Sequence, residues 1–153
     1  MIRHEPATGE ASRALFAEYM ELVAERLGGA FVPTAEIFAT EDDFGGGGGA
    51  WLVGYDGDVA VACGGLRRLA PGIAEIKRMF VAAPARRRGH ARALLAELER
   101  LAAQDGCARA RLYTTEVLRE ARALYTASGY RPVGVVASQG RVDLWLEKAI
   151  TPA

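Results

Sequence analysis

Residues 81–95, Val-Ala-Ala-Pro-Ala-Arg-Arg-Arg-Gly-His-Ala-Arg-Ala-Leu-Leu, carry an apolar strand through a basic, glycine-containing turn directly into a helix. A strand, a short loop and a helix in that order imply an α/β unit, and this one has the layout of an anion site. The first N–H groups of a helix lack intrahelical partners and carry the positive end of the macrodipole, so a pyrophosphate can dock there if no side chain blocks it. Gly89 and Ala91 leave the approach open, and Arg86, Arg87 and Arg88 add charge-assisted contacts. A dinucleotide fingerprint would need three spaced glycines and an acidic residue about twenty positions on, and neither is present. The competing reading is a solvated arginine cluster that merely opens a surface helix.

The flanking segments predict the rest of the fold. Met1–His4 reads as a short strand closed by Pro6. Over Glu10–Leu27 apolar residues recur in two adjoining rows, Leu15, Tyr19 and Leu22 beside Phe16, Met20, Val23 and Leu27, which predicts a helix ended by Gly28-Gly29. Phe31–Phe38 reads as a second short helix, and Glu41-Asp42-Asp43 with the glycines of 45–49 as a loop. From Ala50 the period becomes two. Asp56-Gly57 turns a strand starting at Trp51 into a second, Val59 to Leu66, and Ala70-Pro71-Gly72 turns the chain into a third, Ile73–Val81. After the basic turn, Leu94, Leu95, Leu98, Leu101 and Ala102 mark a helix stopped near Gly106. Ala108–Thr114 reads as a strand, parallel to the third because a helix separates them. A helix over Val117–Ser128 and a closing hairpin, Tyr130–Ala137 with Val142–Glu147 around Gln139-Gly140, complete an α/β fold with a mixed, mostly antiparallel sheet flanked by helices.

The 153 residues fit a single domain spanning 1–153. Nineteen basic and nineteen acidic residues cancel, so no overall field favours nucleic acid or an anionic membrane, and the arginine patch implies a local anion instead. A nucleic-acid-binding domain is disfavoured because that patch is short and lacks interleaved aromatics. Cys63 and Cys107 are far apart, no Cys-x-x-Cys occurs, and there are only two histidines, so no structural metal is expected. Both cysteines read as small buried hydrophobes, with a catalytic thiol as the alternative. No apolar run reaches signal or membrane-span length, and the chain reads as cytoplasmic.

The motif Arg86-x-x-Gly89-x-Ala91 after Val81 resembles the acetyl-CoA signature of the GNAT N-acetyltransferase superfamily. Two further segments share the resemblance, in the order the family has them: Ala74-Glu75-Ile76-Lys77-Arg78-Met79-Phe80-Val81 is similar to its central strand, and Ala121-x-x-Leu124-Tyr125-x-x-x-Gly129-Tyr130 to its tyrosine-bearing helix. Together they span roughly residues 51 to 147. The resemblance implies an acetyl-CoA-dependent N-acetyltransferase acting by direct attack of a primary amine in a ternary complex, without a cysteine intermediate. It implies cofactor contacts from the backbone of Met79, Phe80 and Val81 beside the pantetheine arm and from Arg86, Arg87, Arg88, Gly89, His90 and Ala91 around the pyrophosphate. The side chains of Met79, Phe80 and Val81 read as core. Two positions depart from the family's pattern. Pro84 stands one place later than its usual proline, and Leu118 stands where an asparagine is often found, which bears on cofactor affinity.

The chemistry names two catalytic candidates. An alkylammonium has a pKa near 10.4, so a carboxylate that accepts its proton raises the nucleophilic fraction. Glu75, a charge on an otherwise apolar strand, is the candidate base, and an ion pair with a residue such as Lys77 or Arg78 is the alternative. A tyrosine stays protonated long enough to donate to a departing thiolate. Tyr125, which shares a helix face with Ala121 and Ser128, is the acid that the resemblance implies through the Leu124-Tyr125-x-x-x-Gly129-Tyr130 match, and an interface tyrosine with a wet hydroxyl is the alternative. A non-catalytic acyl-CoA-binding regulatory module is the competing function. The acceptor and the oligomeric state are left open, although a homodimer is frequent among members of the family.

Overall fold

The structure is a computed structural model that describes residues 1–28, 44–45, 47–138 and 141–152. The helix expected over Phe31–Phe38, the acidic triplet 41–43 and the turn at 139–140 lie outside the described residues. Element order is β1 (Ile2–His4), α1 (Glu10–Arg26), β2 (Ala50–Asp56), β3 (Val59–Ala70), β4 (Ile73–Val81), a 3₁₀ turn (Ala83–Ala85), α2 (His90–Gln104), β5 (Arg109–Thr115), α3 (Arg119–Ala127), β6 (Arg131–Ser138) and β7 (Arg141–Ala149). Seven strands form one sheet in the order β1-β2-β3-β4-β5-β7-β6. Every neighbouring pair is antiparallel except β4 and β5, which the α2 crossover makes parallel. The fold is the expected single α/β domain with a mixed, mostly antiparallel sheet.

Strand alternation divides the core between the two faces. On one face Ala74 and Ile76 of β4, Ala110 and Leu112 of β5, and Leu144 and Leu146 of β7 pack against Leu94, Leu95, Leu98 and Ala102 of α2 and Tyr125 of α3. Each of the leucines of α2 that becomes fully buried contributes about 1.5–3 kcal/mol. On the opposite face Trp51, Val53, Cys63 and Phe80 meet Leu15, Tyr19 and Leu22 of α1. The indole Nε1 of Trp51 donates to Ser12 Oγ at 2.9 Å, and Ser12 Oγ donates to the Pro6 carbonyl at 2.8 Å, pinning α1 to β2. A third cluster joins α1 to α3 through Phe16, Met20, Val23 and Leu118. Both cysteines are buried free thiols, and burial pushes the Cys63 thiol up to about 12.

Most boundaries shift by one or two residues, and two of the differences have a clear physical cause. β3 continues past Leu66 to Ala70 because Arg67 and Arg68 pair across the ladder with Glu75 and Ala74, and an Arg67–Glu75 ion pair replaces the apolar contacts that end at Leu66. Helix α3 begins at Arg119 rather than Val117, since Leu118 is non-helical (φ −95°, ψ 68°) and the Val117 carbonyl accepts from Arg26 Nη1 at 3.1 Å. No helix among the described residues is long and apolar enough to cross a membrane.

Candidate active site

The site originates in an irregularity of β4. Cys63 pairs with Phe80 and Gly65 with Lys77, so two residues, Arg78 and Met79, stand opposite Gly64 alone. This is a β-bulge, and Arg78 adopts φ +58° to form it. Bulges bend a strand and sharpen its twist. Beyond this point β4 leaves β5: the two pair only over Ile73–Ile76 and Arg109–Leu112, while β4 continues along β3 to Val81 and β5 along β7 to Thr115. The wedge between them exposes an edge of β4. Because the Ala82 N–H bonds Val61 O on β3 at 2.8 Å, the two-residue alternation of the ladder turns the backbone groups of Met79 and Val81 toward the wedge. The Val81 carbonyl there accepts a 3.2 Å hydrogen bond from Arg86 Nε.

A cleft of about 600 Å³ fills this wedge. Met79, Phe80 and Val81 line one wall, and Leu118, Ala121, Leu124 and Tyr125 of α3 line the other. Tyr19 and Leu22 of α1 close it from the far face of the sheet. At the open end lie Arg86, Arg87, Gly89, His90, Ala91 and Arg92.

That end has the features of an anion cradle. Gly89 caps α2 in the left-handed region (φ +84°), and no side chain caps the helix. A Cβ placed on Gly89 would meet nothing within 4 Å, so the approach to the first helical N–H groups is free. The first intrahelical bond is Ala93 N–H to Gly89 O at 3.0 Å, leaving the N–H groups of His90, Ala91 and Arg92 without helical partners. Arg87 adopts φ +64°, and this alternation of backbone hand gathers N–H groups into a concave nest. Among described residues the cradle side chains are basic or neutral.

The structure brings nine of the eleven expected site residues onto this cleft. The other two stand apart. Arg88 Nη1 donates to Asp56 Oδ2 at 2.9 Å on the exposed surface. Glu75 is buried at 3% exposure on the α1 face of β4, where Arg67 Nε bonds its Oε1 at 2.6 Å. Its partner is therefore Arg67, rather than Lys77 or Arg78. Tyr125 is buried at 6% exposure with its ring edge-on to Tyr130, 6.0 Å between centroids. Burial pushes its phenol well above the ordinary value of 10, so it stays protonated at neutral pH. Neither its hydroxyl nor that of Tyr19 has a hydrogen-bond partner among the described residues.

Tyr19, Leu22 and Glu120 were not legible as site residues, whereas Arg92 belongs to the basic patch that the sequence already shows. Tyr19 and Leu22 belong to an apolar helical row that reads as core, and only the α1–α3 contact brings them here. Glu120, at the rim, is gripped by Arg26, with Nη1 and Nη2 at 2.5 and 2.8 Å from its two oxygens.

Comparison with known proteins agrees with this geometry. The family model described as "Acetyltransferase (GNAT) family" matches residues 14–130. Among solved structures, a Klebsiella pneumoniae chain assigned to the acyl-CoA N-acyltransferases is 26% identical, with 97% of this chain and 96% of that one covered at a TM-score of 0.75. An aminoglycoside 6′-N-acetyltransferase complexed with coenzyme A is 15% identical over 100% and 98% of the two chains, with a TM-score of 0.75. A GNAT family acetyltransferase from Elizabethkingia anophelis with acetyl-CoA bound is 15% identical over 98% and 97%, with a TM-score of 0.67. Comparison with curated proteins gives no match. With 117 consecutive residues matched by one family model, and with the strand, cradle and tyrosine-bearing helix arranged around one cleft, the chain belongs to the acetyltransferase (GNAT) family.

Proposed function

We propose that this protein transfers an acetyl group from acetyl-CoA to a primary amine by direct attack in a ternary complex. The observation that carries this reading is the uncapped α2 N-terminus, with left-handed Gly89, at the mouth of a cleft floored by the free edge of β4. The pyrophosphate of the donor takes the N–H groups of the cradle, with Arg86, Arg87 and Arg92 supplying charge. Arg88 contributes its backbone, since its guanidinium is held by Asp56. The pantetheine arm then lies along Met79–Val81 like an added strand, and the inward N–H of Met79 or Val81 polarises the thioester carbonyl.

Tyr125 donates its proton to the sulfur as the carbon–sulfur bond breaks. Its burial, then the neighbouring Tyr19 phenol, keep that proton in place until the thiolate forms. Glu75 lies four residues before Met79, at most about 13 Å along the bulged strand, and does not line the cleft, so it takes the amine proton through water rather than by contact, with Arg67 fixing its orientation. The domain works as one unit of residues 1–153, without a metal or a covalent cysteine intermediate.

The experiment is a calorimetric titration with coenzyme A followed by free-thiol release from acetyl-CoA with a panel of primary amines. Micromolar coenzyme A binding with amine-dependent thiol release is the expected result. Tight binding without release for any amine would instead describe an acyl-CoA-binding regulatory module, and no binding would remove the proposal.

A further inference from the structure

The cleft passes through the sheet and carries a phenol on each side of it. Tyr125 enters from the α2/α3 face, where its ring belongs to the main core. Tyr19 enters from the α1 face, its ring packed between Phe16 at 6.1 Å and Phe80 at 5.6 Å between centroids. The bulge at Arg78 and Met79 explains how one strand serves both. Met79 packs toward Leu94 and Leu98 on the α2 face, whereas the next residue, Phe80, packs with Trp51 and Cys63 on the α1 face. The donor's phosphates are cradled at the start of α2, so a thioester lying along Met79–Val81 meets Tyr125 from its own side and Tyr19 from the opposite one.

The rest of the inner cleft is apolar: Leu22, Phe80, Leu118 and Leu124. Its remaining polar side chains sit at the phosphate end or, in Glu120, at the rim in the grip of Arg26. Tyr19 is half-buried and its hydroxyl has no hydrogen-bond partner among the described residues, so a ligand in the cleft can bond it without displacing a protein partner. Burial holds its phenol up at about 12, so the group is neutral at working pH, with oxygen lone pairs available to accept.

Building on the acetyl-transfer reading, the geometry points to Tyr19 as the acceptor-orienting residue: its phenolic oxygen accepts a hydrogen bond from an N–H of the incoming primary amine and turns the nitrogen lone pair toward the thioester carbon. The hydrogen bond forms on the face opposite the donor's entry, so Tyr19 selects the acceptor and Tyr125 serves the leaving group.

The test uses binding, so it does not depend on knowing the natural acceptor. The probe is a coenzyme A conjugate whose sulfur carries CH₂–CO–NH–propyl, which places an amide N–H where the acceptor nitrogen would lie. Calorimetry compares it with coenzyme A for the intact protein and for Tyr19→Phe, which keeps the ring contacts and loses only the oxygen. The expected result is that the intact protein prefers the conjugate by about fivefold or more, the value of one neutral hydrogen bond, and that Tyr19→Phe loses this preference while binding coenzyme A unchanged. The role is overturned if Tyr19→Phe keeps the full preference, if the intact protein has none, or if Tyr19→Phe weakens both ligands equally, which would assign Tyr19 to the donor arm. Failure of the intact protein to bind coenzyme A would overturn the acetyl-transfer reading itself, and this proposal with it.

Discussion

Gly64 lies directly beneath Met79: a Cβ added at Gly64 would fall 2.7 Å from Met79 Sδ, 3.1 Å from Leu98 Cδ1 and 3.3 Å from Leu94 Cδ2. The absent side chain is what lets the bulged strand settle onto α2 with Met79 tucked away from the wedge. Gly64→Ala is therefore expected to push the flexible thioether outward, because the two leucines are fixed by the core. Overpacking of this kind costs about 1–3 kcal/mol. A fall in Tm of a few degrees should accompany about tenfold weaker coenzyme A binding by calorimetry. Unchanged affinity would mean that Met79 does not border the pantetheine path.

Gly89 supplies both a left-handed backbone and open space. Gly89→Ala adds no clash and so tests the conformation alone, at about 1 kcal/mol. Gly89→Glu adds charge against the incoming pyrophosphate, and coenzyme A affinity should drop at least tenfold while the far-ultraviolet circular dichroism stays unchanged. The loss for Gly89→Glu should shrink as salt rises, since screening weakens exposed charge repulsion.

The parts of the site that were legible in the sequence are those built from contiguous chain. Arg86, Gly89 and Ala91 announce the cradle because one turn makes it, and Tyr125 is placed by the helix that ends at Gly129. What stayed hidden depends on register and on long-range packing. Arg67 becomes the partner of Glu75 only because β3 extends four residues beyond its apolar stretch and pairs Arg67 with Glu75 directly. Arg88 leaves the cradle for Asp56, a residue of the β2–β3 hairpin 32 positions earlier. The wedge itself rests on a bulge opposite Gly64, and a glycine in a strand marks such a site without saying which partner residue is extra. Tyr19 repeats at helical spacing with Leu15 and Leu22, so periodicity alone assigns it to the core.

Glu75 distinguishes two outcomes sharply. As the group that receives the amine proton through water, it should lose about 10²-fold in kcat on conversion to Gln, with the acidic limb of the pH–rate profile distorted. Coenzyme A affinity should stay constant, because the carboxylate does not line the cleft. Arg67→Met is the companion variant, and it should cost turnover through misorientation of Glu75 without abolishing the pH dependence. A Glu75→Gln protein that turns over normally but melts several degrees lower would reduce Glu75 to half of a structural ion pair.

The clasp between α1 and α3 is pH-dependent. The hydrogen bonds from Arg26, then the local backbone N–H, hold the Glu120 carboxyl at about 2, below the ordinary 4.5. A carboxylate whose folded value is depressed stabilises fully above its unfolded value and loses that contribution as pH falls through the folded one. The Tm advantage of the intact protein over Glu120→Gln should therefore be full above about pH 4.5 and vanish by about pH 2. Glu120 is 64% exposed, so solvent screening limits the advantage to about 0.5–1 kcal/mol. A Tm difference that persists unchanged at pH 2 would show that the clasp is not electrostatic.

Tyr125→Phe examines the acid step with the ring preserved. The edge-on contact with Tyr130 and the buried face toward α2 persist in phenylalanine, and the hydroxyl has no hydrogen-bond partner among the described residues to lose. Stability and coenzyme A binding should therefore remain close to those of the intact protein. If the phenol protonates sulfur as the intermediate collapses, kcat and kcat/KM should fall together by about 10² or more, since the interaction is made chiefly in the transition state. An acetyl donor with a more acidic thiol needs less protonation at the sulfur, so it should recover part of the lost rate in the variant and little in the intact enzyme. The two donors thus separate leaving-group catalysis from packing: equal slowing with both would leave Tyr125 as a wall of the cleft, and Tyr19, on the other side of the sheet, as the remaining phenol able to reach the reacting atoms.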